Sequence, residues 1–110
     1  MNVGTVSMNH CLTCGRRWKV SFPGCPYCGS TSLDMESVAA AGSVYSWVEV
    51  FRSLEEPPAE VPYTVIAVDL TGGGRIFGRW LGPGAPADGT KVHSTAGEVP
   101  DAPILFTAAR

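Results

Sequence analysis

The chain is predicted to be mostly β, a small metal-bound ribbon followed by a five-stranded barrel, and three observations predict it. All four cysteines fall in two Cys-x-x-Cys-Gly turns, Cys11 to Gly15 and Cys25 to Gly29. Downstream, short runs of aromatic and β-branched residues alternate with segments dense in glycine and proline. Helical signal is almost lacking. With 110 residues and 11.6 kDa, the chain has room for a metal-stapled module plus a compact barrel. The boundary is expected near residue 37, giving a flexible arm and ribbon over 1–36 and the barrel over 37–110.

The two-residue spacing lets each turn bend so that both sulfurs face one point, and Gly15 and Gly29 stand where such a knuckle often needs positive φ. Ten residues separate Cys14 from Cys25, enough for a tight hairpin that sets the knuckles side by side. Four thiolates of Cys11, Cys14, Cys25 and Cys28 then close a tetrahedron, which predicts structural zinc in a rubredoxin-like zinc ribbon. Iron is the minor alternative, because tetrahedral thiolates suit both metals. Two disulfides are the other reading, and the first 20 residues lack the features of a secretory signal that would supply an oxidising compartment. No apolar run approaches a membrane span. The chain therefore reads as cytoplasmic.

Hydrophobic residues make up 45% and charged residues 16%, so charge is sparse. An apolar surface covered by a partner and a plain glycine- and alanine-rich composition explain this equally well. The net charge is −2, which argues against a phosphate backbone as main ligand. Arg16, Arg17 and Lys19 form only a local basic patch on the metal hairpin.

In order, residues 1–9 show no period and read as a flexible arm or docking segment. His10 beside the first cysteine is expected to be exposed or to support the site from behind. Trp18, Val20 and Phe22 alternate with Lys19 and Ser21, the signature of a strand with one apolar face. That face is either the ribbon's small core against the barrel or, through Trp18 and Phe22, a contact surface for a partner. Residues 30–36 read as an exit strand and hinge.

Val44, Tyr45, Trp47, Val48, Val50 and Phe51 predict a long, strongly curved strand. An acidic, proline-rich loop follows at 55–62. Tyr63 to Leu70 and Arg75 to Leu81 form a hairpin across Thr71-Gly72-Gly73-Gly74. A breaker-rich loop over 82–89, a short strand at Lys91 to His93 and a last one at Ile104 to Phe106 complete five. Five short curled strands point to a Greek-key barrel of the OB type. Arg75 and Arg79, four apart, share a strand face and can hold a phosphate or carboxylate; ion-paired surface, with Asp69 or Glu49, is the alternative. Ile76 and Trp80 take the other face, with Gly78 expected on the arginine side.

The ordered series now stands complete: a Cys-x-x-Cys-Gly and Cys-Pro-x-Cys-Gly-Ser ribbon, Gly-Ser-Val-Tyr-Ser-Trp, Val-Pro-Tyr-Thr-Val-Ile-Ala-Val-Asp-Leu and Ile-Phe-Gly-Arg-Trp. It resembles the DUF35 family of zinc-ribbon plus OB-fold proteins, over residues 10 to about 107. The resemblance implies a non-catalytic accessory subunit that binds a thiolase or thiolase-like condensing enzyme and helps hold its acyl-CoA, with zinc on Cys11, Cys14, Cys25 and Cys28. The chain departs from the pattern at Phe22-Pro23-Gly24, where the family often has a Pro-Pro-Arg-like box, and matches loosely from Pro83 onward. Independently, every cysteine is committed to metal, and His10 and His93 lie in different modules without a nucleophile-and-base signature. No active site is expected. The alternatives are a nucleic-acid module, with Tyr63, Phe77 and Trp80 stacking bases, and a stand-alone acyl-CoA carrier.

Overall fold

The computed structural model describes residues 3–51, 62–100 and 102–109, and every element in them is a strand. A three-stranded antiparallel sheet comes first, with β1 (Thr5–Cys11) between β2 (Arg17–Trp18) and β3 (Leu33–Ala39). The other five strands are β4 (Ala41–Val50), β5 (Tyr63–Leu70), β6 (Arg75–Trp80), β7 (Lys91–His93) and β8 (Leu105–Ala108). They close a barrel in the order β4-β5-β6-β8-β7. The pairing of β6 with β8 is parallel; all others in the barrel are antiparallel. This is the expected OB-type barrel behind a cysteine ribbon.

The long curved strand is β4, which pairs with β5 along its length and with β7 at its start. A register shift between Val44 and Ser46 bulges it at Tyr45. Such a bulge bends a strand and re-aims a side chain; beyond it β4 leaves the core and its side chains turn outward. At the crossing of β4 and β5 only glycine fits, since a Cβ on Gly42 would stand 2.0 Å from the Asp69 carbonyl oxygen. The β5–β6 hairpin forms where the sequence placed it, with Gly73 and Gly74 at φ 108° and 92°. Gly78 corrects the expected face: it points inward with Ile76. A Cβ there would meet the Phe106 ring at 2.6 Å, so the glycine gives way to the aromatic that fills the barrel.

Two further expectations are corrected. The flexible arm is a strand from Thr5 onward, with Val6 and Met8 fully buried on its inner face. The alternating stretch after Trp18 is not strand, because the Asn9 side-chain amide, rather than a neighbouring backbone, donates to the carbonyls of Lys19 and Val20. The acidic, proline-rich loop lies, apart from Pro62, outside the described residues.

The main core joins Val6, Met8 and Val38 of the small sheet, and Ala40 just after it, to barrel residues including Ile66, Val68, Val92 and Phe106. A second, small core holds Cys11, Trp18 and Cys25, with Leu33 against it. The strands β1 and β3 therefore serve both. A barrel loop secures their shared end: Gly4 N–H donates to the Ser94 carbonyl at 2.7 Å and Glu98 N–H to the Thr5 carbonyl at 2.9 Å. Gly97, at φ 66°, allows the approach, since a Cβ there would stand 2.5 Å from the Thr5 nitrogen. Lys19 completes the clasp with an ion pair to Glu98 and a bond to the Ser7 carbonyl.

Candidate metal centre

The two knuckles are built alike. In each, the N–H of the first cysteine donates to the carbonyl five residues on, Cys11 to Arg16 at 3.0 Å and Cys25 to Ser30 at 2.8 Å. The glycine N–H returns to the cysteine carbonyl, Gly15 to Cys11 and Gly29 to Cys25, both at 2.9 Å. Those glycines sit at φ 79° and 82°, the left-handed region predicted from sequence. A hydrogen bond of 2.8 Å between Thr13 Oγ1 and Ser30 Oγ links the two turns.

All four Sγ atoms lie within 4.8 Å of one another. Cys11 and Cys28 are 3.6 Å apart and Cys14 and Cys25 3.7 Å, so no disulfide joins them. A regular tetrahedron with metal–sulfur bonds of about 2.3 Å has sulfur–sulfur edges of about 3.8 Å. The donor set therefore fits a single tetrahedral ion. Cys11 and Cys25 are buried, while Cys14 and Cys28 face outward.

The backbone favours thiolates here. The Cys14 N–H, 3.4 Å from the Cys11 sulfur, outweighs burial and brings that thiol down to about 6. Burial works to raise Cys25, but N–H groups of Cys28 and Tyr27 leave it lowered. At Cys28 the Ser30 N–H also favours the thiolate, yet burial and hydrogen bonds shared with the other sulfurs push it up to about 11. The cluster thus keeps a proton where a cation would otherwise balance the charge. A divalent ion satisfies all four.

His10 points to the opposite face of β1 from Cys11. Its Nδ1 stands 3.1 Å from Asp34 and 3.2 Å from Glu36, outside the sulfur cluster. Trp18 is only 5% exposed and packs inside the ribbon, whereas Phe22 remains at the surface. The two strand arginines part company. Arg75 donates to Asp69 at 2.6 and 3.2 Å and lies over the Tyr45 ring, 3.5 Å from its centroid. Arg79 lies over the Tyr63 ring at 4.1 Å, on the far side of Phe77. Arg75 instead faces Arg16 and Arg17 across a cleft of about 720 Å³ between the second turn of the barrel and the first knuckle. Along the sequence Arg16 and Arg17 form only a local patch, because the cleft exists only once ribbon and hairpin are packed together.

Residues 36–96 match the family model described as the ChsH2 C-terminal OB-fold domain. A probable enoyl-CoA hydratase alpha subunit of Thermomonospora curvata is 35% identical over 75 residues. That match covers 68% of this chain and 23% of the relative, so the chain spans about a quarter of its length. The Ltp2-ChsH2(DUF35) aldolase superposes with a TM-score of 0.72 at 28% identity, over 96% of this chain and 85% of that one. A DUF35-family protein of unknown function from Sulfolobus solfataricus shares the fold, with a TM-score of 0.63 at 15% identity over 96% and 76% of the two chains. Among the described residues no helix is long and apolar enough to cross a membrane.

Proposed function

The chain belongs to the family of ChsH2 C-terminal OB-fold domains, and on that premise we propose that it is a non-catalytic accessory subunit of an enzyme acting on CoA thioesters. The partner is a thiolase or thiolase-like condensing enzyme in the cytoplasm, and the subunit helps hold its acyl-CoA. The names of two relatives support an enzyme partner: one is a probable enoyl-CoA hydratase alpha subunit, the other an Ltp2-ChsH2(DUF35) aldolase. The ribbon carries structural zinc on Cys11, Cys14, Cys25 and Cys28, in keeping with four sulfurs that leave no position for substrate. Zinc there would cross-link the hairpin and perform no chemistry.

The observation that carries the docking reading is an apolar strip crossing from ribbon to barrel. Val20 is 64% exposed, Phe22 47% and Phe77 70%. Phe77 borders three separate depressions at once, one of them the groove walled by Val20, Phe22 and Pro26. Charges around the strip are already matched, Lys19 by Glu98 and Arg79 by the Tyr63 ring. An aromatic anchor in a surface depleted of free charge is the anatomy of an interface centre.

Co-expression with the condensing enzymes of the same cell, followed by size-exclusion chromatography and metal analysis, tests this. The expected result is one mixed complex with one zinc per chain, lost in Phe77→Asp while the metal stays. A wild-type chain that elutes alone, zinc-loaded and folded, with every such enzyme would sink the proposal; iron in the pure protein would sink the zinc assignment alone.

A further inference from the structure

We propose that the cleft between the first knuckle and the β5–β6 turn binds a compact, multiply charged oxyanion of the phosphate-ester class. The inference rests on the residues of the cleft and stands whether or not the partner is a condensing enzyme. Three arginines line it, Arg16, Arg17 and Arg75, against Asp69 in the lining and Glu36 bonded to Arg17, in a chain whose net charge is −2. Positive charge is thus concentrated where the whole molecule has a deficit of it.

The donors outnumber the acceptors supplied by the protein. Each guanidinium carries five N–H groups. Arg75 uses Nε and one Nη on Asp69. Arg17 gives Nη2 to Glu36 at 2.9 Å, and its buried Nε meets no acceptor among the described residues. Arg16 pairs with no carboxylate among the described residues; its guanidinium lies over the Tyr27 ring, 4.8 Å from the centroid. A planar fork with unspent donors matches a phosphate better than a single charge does.

The frame is fixed before any ligand arrives. The Arg16 carbonyl is tied to Cys11 N–H inside the knuckle, and the Asp69 bonds hold Arg75. Gly15, Gly73 and Gly74 leave that wall free of side chains, so an anion can approach the backbone. A Cβ at Gly73 would already stand 3.3 Å from Arg17 Nη1. The site is thus preorganised, which lowers the cost of binding.

Calorimetric titration of pyrophosphate into the zinc-loaded full chain, at low and then raised salt, tests it. Binding should weaken about tenfold to a hundredfold in Arg16→Gln, an exposed substitution that leaves the knuckle backbone intact. Arg79→Gln, which lies outside the cleft, should leave affinity unchanged. No binding by the wild type, or equal losses in both variants, overturns the proposal. Coenzyme A then identifies the source of the phosphate. Its displacement of pyrophosphate assigns the cleft to the phosphate end of an acyl carrier; bound pyrophosphate that coenzyme A does not displace upholds the anion site and shows that this cleft does not take coenzyme A.

Discussion

The two ends of the small sheet are held by different physics. At the barrel end, twelve residues, most of them aliphatic, form one continuous core with the fully buried Phe106 as its largest member. At the knuckle end the core has three buried members, two of which are cysteines. Hydrophobic burial of about 25 cal/mol per Å² suffices for the first and cannot suffice for the second. The same pair of strands is thus a folded element at one end because it is apolar, and at the other because four sulfurs converge.

The strongest way to break that comparison is Cys25→Ser. Metal content should fall from one ion per chain to none, forfeiting stabilisation on the order of 10 kcal/mol from metal-coupled folding. Amide exchange should then become fast at Leu12, Gly15 and Gly29 while Ile66 and Val68 stay protected. Simultaneous loss of protection throughout would show that the molecule is one cooperative unit. Phe106→Ala attacks the opposite end. Emptying that interior position should cost about 3–5 kcal/mol in urea unfolding, with metal still bound to the folded fraction; a cost below about 1 kcal/mol would mean the barrel interior collapses around the gap.

The smallest effect sharpens the join between the ends. The Lys19 ammonium beside Glu98, helped by the Ser7 N–H, lowers the carboxyl below the ordinary range, burial opposing. A lowered folded value means the pair stabilises above the unfolded value of about 4.3 and is lost as pH falls through the folded one. Wild type and Glu98→Gln should therefore differ at pH 6 and converge toward pH 3. Glu98 is partly exposed, so the difference should be below about 1 kcal/mol. A gap that widens on acidification would contradict the assignment.

What the sequence made legible follows the same division. The knuckles were readable because spacing, glycine and sulfur chemistry are local, and the β5–β6 hairpin because its period and its glycines agree. Strand β1 was hidden: its two core residues, Val6 and Met8, are set among Thr5, Ser7, Asn9 and His10, and their burial is supplied by Val38 and Ala40, thirty residues later. Trp18, Val20 and Phe22 look equivalent in sequence, yet only Trp18 has a pocket to enter. Gly78, expected on the arginine side, turns inward with Ile76, as simple alternation along β6 requires. Membership of Arg16, Arg17 and Arg75 in one cleft was not legible, because no local rule sets a knuckle beside a hairpin sixty residues away.

The clasp on β1 also dictates an order of assembly. Ser7 is bonded to Glu98 across 91 positions of chain, while the metal hairpin closes over fewer than twenty. During synthesis the knuckles can capture their ion as soon as Ser30 leaves the ribosome, but the seat for Gly4 and Thr5 is not made until the residues around Ser94 and Glu98 emerge. The Gly4–Thr5 end of the first strand is therefore among the last parts to dock. A nascent chain stalled near residue 90 would hold its metal with β1 already paired to β3, and still leave the Gly4–Thr5 end of that strand without its clasp.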